Sequence, residues 1–435
     1  MHALNRIRNY SFWFIDFLKG GNIRNHYKEI EALILQPNSL NSVEKRKNNL
    51  NNLLKHATSS TEYYKPYANY KSINDFPVIK KTVIQSNFEA FNSEKYLKAK
   101  NYKVSTSGST GLPFFLFQNS NKRSRNTADV LFFAKLSSYT IGNKLFELEV
   151  WRKHNQKSKL KSFIQNVTQF DISKLTDAHI SVLIEKLKSS KQTKTILGFS
   201  SALENICRYL DESNTSVSNL NINSILANSE YLNSYTKENL GKHFNAPVLS
   251  RYSSEEIGIV AHQTIDSQEH FIVNNASYYI ELLKFDEDTP AEAGEHGRIV
   301  VTDLFNYSMP IIRYDTGDIA KMLKTNDGTL KFESIEGRRM DLIYDTQGNL
   351  ISSFVVYTNF YPFYSLLNQY QFIQTAQKDY LVKLNIKHEF VHEKDLIISL
   401  KKEFGNDANI KIEYVDEIPP LASGKRKKVV NLWSA

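Results

Sequence analysis

The stretch Ser105-Thr106-Ser107-Gly108-Ser109-Thr110-Gly111 is built only from hydroxyl residues and glycine. Glycine lets a backbone approach a ligand closely. Successive N–H groups and Ser or Thr hydroxyls supply donors suited to an anion such as a polyphosphate. No Gly-Lys-Ser/Thr closes the stretch, which excludes a Walker A loop, and its spacing is not Gly-x-Gly-x-x-Gly. A Ser/Gly turn in a hairpin has the same composition, so for the stretch alone both readings stand. Further polar clusters lie at Asn228-Ser229-Glu230, at Tyr252-Ser253-Ser254-Glu255-Glu256 and at Thr316-Gly317-Asp318. Each has an ordinary role open to it: Asp318 as a turn cap, Glu256 as a helix-start carboxylate, Tyr252 as a core aromatic. Ser423-Gly424-Lys425-Arg426-Lys427-Lys428 carries four consecutive cations, which by themselves read as a solvated tail. None of the eleven histidines belongs to a ligand-spaced cluster, so no zinc site is expected.

The elements that must position these clusters alternate. Thr195–Phe199, Ser224–Ala227 and Pro247–Leu249 read as short buried strands, each followed by a polar turn, and residues 122–138 and 175–190 have helical periodicity. Strand, polar turn and helix in repetition is the signature of an α/β sheet. Such sheets bind ligands at the carboxyl ends of their strands, where 228–230 and 252–256 fall. Residues 277–304 read as antiparallel strands, and the turn at Thr316-Gly317 presents Asp318 just after another. Gly337-Arg338-Arg339-Met340-Asp341 looks like a boundary. Beyond it, alternation at Val382, Leu384 and Ile386, helix spacing at Leu396, Leu400 and Phe404, and alternation at Ile410 and Ile412 make a small α+β unit. The expected class is therefore α/β: a large N-terminal α/β domain of several subdomains over 1–336, mostly helical in its first 100 residues, and a small C-terminal α+β domain over 337–435.

With 435 residues, 41% of them hydrophobic, the chain is too long for one typical domain and has ample core. Its single cysteine, Cys207, sits in an apolar-periodic stretch, reads as core and permits no intrachain disulfide. The net charge of +9 suits anionic ligands, acidic partners or a membrane surface, but it is spread along the chain, against a nucleic-acid role. No apolar run approaches the ~20 residues that span a bilayer, and no basic-then-apolar leader is recognisable; a cytoplasmic protein is expected. Residues 1–35 look helical. Leu4, Ile7, Phe14 and Leu18 share one face beside Arg6, Arg8, Lys19, Arg24 and Lys28. Phe12-Trp13-Phe14-Ile15 either packs on its own domain or makes a weak peripheral contact with a membrane.

These pieces in this order resemble the adenylate-forming superfamily of acyl-CoA ligases, and within it the phenylacetate–CoA ligase-like proteins of the capsular-polysaccharide, CapK-type group. Thr106 to Pro113 is similar to the family's phosphate loop, Asn228-Ser229-Glu230 to its segment beside the nucleotide, and Tyr252 to Glu256 to Tyr-Gly-x-Thr-Glu. Arg313 to Asp318 resembles Tyr-Arg-x-Gly-Asp, Gly337-Arg338 the interdomain hinge, and Ser423-Gly424-Lys425 the C-terminal lysine motif. Gln369-Tyr370-Gln371-Phe372 and Asp16 to Gly20 also resemble the CapK-type group. The sequence departs from the pattern at Leu112, where Lys is common, at Ser253 and Glu255 for Gly and Thr, and at Met340 for the hinge pivot.

The resemblance implies a two-step reaction. ATP and a carboxylate (aryl, acyl or amino acid) give an acyl-adenylate and pyrophosphate; a thiol or amine then takes the acyl group. The acceptor would be CoA, a carrier protein or a sugar amine, in surface-polysaccharide or cell-envelope biosynthesis. Lys425 would bridge carboxylate and phosphate as a point charge, and Glu256 would hold magnesium. Thr106, Ser107, Gly108, Ser109, Thr110 and Gly111 would cradle phosphates. Ser229, Glu230, Tyr252, Ser253, Asp318 and Arg338 would bind the nucleotide, with Asp318 on the ribose and Tyr252 on the adenine. Met340 or Asp341 would be the pivot of a mobile lid. The alternatives are a nucleotidyltransferase that adenylylates a cofactor and a non-catalytic nucleotide-binding protein.

Overall fold

Paired glycines break the leading helical segment in two. Helix α1 (Ala3–Leu18) and α2 (Asn22–Leu35) meet at Gly20 and Gly21, whose φ values of 98° and 70° place them in the left-handed region. Asp16 then caps α2 by accepting the N–H groups of Ile23 and Arg24 at 3.1 and 2.9 Å. These coordinates, a computed structural model, describe residues 3–106, 114–151, 156–173, 175–213, 215–323, 325, 329–338, 343–351, 353–419 and 427–433. Helix α3 (Leu40–Ser60) starts at the Ser39 cap, and α4 (Lys81–Ser86) follows after short single turns. Strands β1 (Asn101–Thr106) and β2 (Phe114–Asn119) pair antiparallel with Thr106 opposite Phe114, which brings the two ends of 107–113 together. Asn119 caps α5 (Ser120–Leu136).

The alternating part comprises β3 (Lys144–Glu149), α6 (Lys159–Gln165), β4 (Val167–Asp171), α7 (Asp177–Ser189), β5 (Lys194–Phe199), α8 (Ser200–Ser213), β6 (Ile222–Asn228), α9 (Ser234–Phe244) and β7 (Val248–Ser254). Its strands are parallel, in the spatial order β4-β3-β5-β6-β7. From β7 the pairing turns antiparallel through β8 (Gly258–Thr264), β9 (Ser267–Val273), β10 (Tyr278–Leu283), β11 (His296–Asp303), β12 (Tyr314–Leu323) and β13 (Lys331–Arg338), which complete an 11-stranded sheet in the order β10-β11-β12-β13-β9-β8-β7. Strand β7 runs through Ser254, so Tyr252 and Ser253 lie on a strand and not in the turn that their polarity suggests. Strands β3 and β4 go unread in the sequence because Lys144, Glu147 and Glu149, then Thr168 and Gln169, mask the buried Phe146, Leu148 and Phe170.

The remainder contains β14 (Ile343–Tyr344), β15 (Leu350–Ile351), α10 (Ser353–Phe360), β16 (Leu367–Gln374), β17 (Asp379–Ile386), α11 (Glu393–Phe404), β18 (Asn409–Tyr414) and β19 (Val429–Asn431). Its four-stranded sheet, β18-β17-β16-β19, covers α11, and Phe372, Val382, Leu384, Leu396, Leu400 and Phe404 form a core of their own. Burying that much apolar area is what lets about ninety residues hold together as a unit.

Helix α1 lies against the turn at Ile141-Gly142. Gly142 has φ 97°, and a Cβ there would meet the Asn5 carbonyl oxygen at 2.5 Å. Gly294 has φ 91° with nothing within 4 Å. Gly142→Ala is therefore expected to cost ~1–3 kcal/mol of strain plus the displacement of α1, and Gly294→Ala the strain alone. Thermal unfolding of the two variants checks this; a melting temperature for Gly142→Ala no lower than for Gly294→Ala would show that α1 is not held there.

Candidate active site

Two of the polar clusters, Tyr252 to Glu256 and Thr316 to Asp318, meet where the sheet changes sense. A register shift between Tyr252 and Ser253 on β7 re-aims the Tyr252 side chain. Its hydroxyl donates to Asp318 Oδ2 at 2.6 Å and lies 3.3 Å from Thr316 Oγ1. Burial, then the Asp318 carboxylate, pushes the Tyr252 phenol well above its ordinary pKa, so it remains a donor. Thr316 Oγ1 also accepts the Asp318 N–H at 3.2 Å, and Asp318 pairs in register with Arg338 across β12 and β13. Beside them the Tyr314 hydroxyl donates to Glu256 Oε1 at 3.3 Å, and Gln118 on β2 donates to the Glu256 carbonyl at 3.1 Å. The Tyr314 ring stacks parallel to Phe114 with centroids 6.5 Å apart. Phe114, through Tyr314, is thereby linked to Glu256.

The other predicted residues are distributed as follows. Thr106 ends β1 opposite Phe114, while Ser107, Gly108, Ser109, Thr110, Gly111 and Leu112 lie outside the described residues, as do Met340, Asp341 and Lys425. Ser229 holds a left-handed backbone, φ 67°, a strained conformation for a serine. The Glu230 carboxylate accepts the Ser201 N–H at 2.8 Å and its carbonyl accepts the Ser200 hydroxyl at 2.9 Å, so it caps the start of α8. Arg313, part of the same motif as Asp318, makes a buried bidentate pair with Glu281 at 2.9 and 3.1 Å. Glu149, unremarked in the sequence, closes β3 at the same sheet end. Burial and then Glu147 push its carboxyl up, against the pull of Arg251.

A second cluster joins α8 to the small C-terminal unit. Glu204 accepts from Arg208 at 2.9 Å and from Asn233 at 2.8 Å, and its Oε2 is paired with Lys428. Arg208 reaches across to donate to the Leu367 carbonyl at 2.8 Å, and its guanidinium lies 4.3 Å from the Tyr364 ring. Burial pushes Glu204 upward, but Lys428 and then Arg208 more than offset this and hold it below the usual carboxylate range. Burial draws Lys428 down in turn, so one carboxylate is held between two cations rather than in a matched pair. Beside the cluster is a cavity of ≈ 720 Å³ walled by Phe199, Ser201 and Arg208 on one side and by Gln369, Tyr370 and Lys428 on the other. Ser201 is also the residue whose N–H meets Glu230, which links the cavity to the turn after β6.

Residues 343–432 match the family model of the CapK C-terminal domain. The likeness continues beyond it: protein CapK of Staphylococcus aureus is 24% identical over 376 residues, 83% of this chain and 80% of that protein. Phenylacetate-coenzyme A ligase of Escherichia coli (strain K12) is 26% identical over 131 residues, 30% of each chain. Among solved structures, 2-hydroxyisobutyryl-CoA ligase in its postadenylation state, in complex with R3-HIB-AMP, superposes with a TM-score of 0.69 at 16% identity over 90% of both chains. The fold is that of the acyl-CoA ligases, in agreement with the resemblance read from the motifs. The same ligase in its thioesterification state, in complex with 2-HIB-AMP and CoA, superposes at 0.58 with the same identity and coverage.

The Glu204 cluster supplies a test of what holds the CapK-type domain in place. Glu204→Gln keeps the side-chain volume and leaves Lys428 and Arg208 without their shared anion, a loss on the order of 3 kcal/mol for a buried pair. Small-angle scattering should show a larger radius of gyration for this variant, and an unchanged profile would assign the orientation to other contacts. The pH dependence has a definite sign. A carboxylate with a depressed folded value contributes fully above its unfolded value of about 4.3, and the contribution disappears as pH falls through the folded one. No opening is expected between pH 8 and 5, and opening is expected only below roughly pH 4.

Proposed function

We propose that this protein is an ATP-dependent carboxylate-activating ligase, which forms an acyl-adenylate, releases pyrophosphate and passes the acyl group to a thiol or amine acceptor. The observation that carries this reading is the convergence of Tyr252, Asp318, Glu256, Tyr314 and Phe114 beside the carboxyl end of β7. Support comes from the likeness to the acyl-CoA ligases, among them structures described with bound acyl-AMP. The likeness to CapK supports a place in surface-polysaccharide or cell-envelope biosynthesis.

In this reading Asp318 accepts the ribose hydroxyls, oriented by the Tyr252 and Thr316 hydroxyls. The Tyr252 ring flanks the adenine, and Thr106 to Gly111 with Ser229 and Ser253 line the phosphate path. Glu230 caps the start of α8 beside them, and Arg338, in register with Asp318, would bind the same ribose. Among the described residues no group of three or more His, Cys, Asp or Glu is placed to hold a metal by itself. Glu256, whose Oε1 accepts from Tyr314 in this site, would be the protein carboxylate that holds magnesium, a hard cation suited to carboxylate oxygen. When bound it would neutralise phosphate charge. The cavity of ≈ 720 Å³ lies within the range of small-molecule sites and is the place for the carboxylate substrate. Division of the chain at 337, with Met340 or Asp341 as pivot, lets the C-terminal domain bring Lys425 to the α-phosphate for the first step and withdraw it for the second.

ATP–pyrophosphate exchange over a panel of carboxylic acids tests the reading; no acid-dependent exchange with any member would overturn it. Asp318→Ala should weaken nucleotide binding or the transition state by roughly 2–4 kcal/mol, through two charge-assisted hydrogen bonds lost. Lys425→Ala should abolish exchange while sparing transfer from a supplied acyl-adenylate. Near-normal exchange in that variant would remove the lysine from the first step.

A further inference from the structure

Helix α1 turns its apolar side outward. The two side chains that it buries are polar, Asn5 and Asp16. Asn5 accepts from Asn166 at 3.3 Å, Asp16 caps α2, and Asn9 donates to the Ile141 carbonyl at 3.1 Å. On the opposite arc Leu4, Ile7, Tyr10, Phe14, Phe17 and Leu18 are exposed, Tyr10 and Phe17 to 72% and Leu18 to 66%. A surface helix ordinarily does the reverse.

The patch continues onto α6. Arg8 donates to the Phe163 carbonyl at 2.9 Å and its guanidinium lies 5.2 Å from the Phe163 ring, which joins the two helices side by side. Helix α6 exposes Leu160, Phe163 and Ile164. Isolated exposed apolar residues need no explanation, but a contiguous two-helix patch marks an interaction surface.

Its charge names the partner. Residues 1–28 contain five Lys or Arg and a single carboxylate, the buried Asp16; residues 156–166 contain three lysines and no carboxylate. Arg6 on α1 and Lys19 just after its end, with Lys159 and Lys161 on α6, are exposed beside the apolar arc. We infer that α1 and α6 together form a peripheral docking surface for an anionic lipid bilayer. The apolar arc enters the headgroup boundary, and the flanking cations meet lipid phosphates. A second copy of the chain is disfavoured, because it would set the same cations against one another. Among the described residues no helix is long and apolar enough to cross a membrane, so the contact is superficial. The inference does not depend on the ligase reading.

Flotation of the full-length protein with phosphatidylcholine vesicles, with and without phosphatidylglycerol, tests it. The wild-type protein should float with the anionic vesicles at low salt, much less at high salt, and not with the neutral ones. Phe14→Asp combined with Leu18→Asp should lower the bound fraction on the order of tenfold. Arg6→Glu combined with Lys19→Glu should do the same by charge alone, and keeps a readout should the first variant misfold. Unchanged thermal unfolding confirms that these exposed sites leave the fold intact. The proposal is overturned if the wild-type protein stays unbound, if both variants float as it does, or if sedimentation shows the patch buried in a dimer or in an acidic protein complex that Phe14→Asp dissolves.

Discussion

The hydroxyl of Tyr252 touches the carboxylate of Asp318, although their strands are not neighbours. Strands β8, β9 and β13 lie between β7 and β12 in the sheet. Four steps of ~4.8 Å would separate the two strands by about 19 Å in a flat sheet. A contact of 2.6 Å therefore requires the antiparallel half to curl back over the end of the parallel half. That curvature is the constraint on which the site depends. It brings Asp318 and Tyr314 over Tyr252 and Glu256, and through Phe114 it draws in the β1–β2 hairpin. The bulge at Tyr252 and the sparse β13–β9 pairing, confined to Lys331 with Ile272 and Phe332 with Phe271, are the local irregularities that accommodate it.

Much of this was legible in the chain, and the parts that were not share a physical reason. Thr195–Phe199 and Ser224–Ala227 announce themselves because parallel strands buried on both faces read as continuous apolar runs. Lys144–Glu149 does not, because only alternate residues enter the core. Tyr252, Glu256 and Asp318 stood out as polar groups at strand ends, yet nothing local predicts that the first and last are bonded. Their contact arises from the curl of the whole sheet. Glu204 and Arg208, four apart on α8, could be read as an ordinary helix pair. Their third member, Lys428, is more than two hundred residues away, and the run Lys425 to Lys428 gives no sign of which cation is buried.

The N-terminal segment teaches a different limit. Periodicity at Leu4, Ile7, Phe14 and Leu18 establishes an amphipathic helix but not which face turns inward. The apolar face would normally be assigned to the core, since burying it is favourable by about 25 cal/mol per Å². Here the polar edge docks instead, through the hydrogen bonds of Asn5, Asn9 and Asp16 to Asn166, Ile141 and the first turn of α2. Polar anchoring of this kind fixes the orientation while leaving the apolar area available to another phase.

The joint between the large sheet and the CapK-type domain includes a buried charged cluster beside the Tyr235–Tyr364 ring contact, and the charge has mechanical consequences. An apolar interface of similar size would be favourable in one arrangement and costly to expose in any other. A cluster of one carboxylate and two cations gains little net stability from burial, because desolvation offsets most of the attraction. Its geometry is nevertheless specific: Glu204 holds Lys428 and Arg208, and Arg208 in turn holds the Leu367 carbonyl. On separation all three charges regain water, so the open state is not heavily penalised. A domain that must occupy more than one orientation needs joints of this type, definite in direction and small in net free energy.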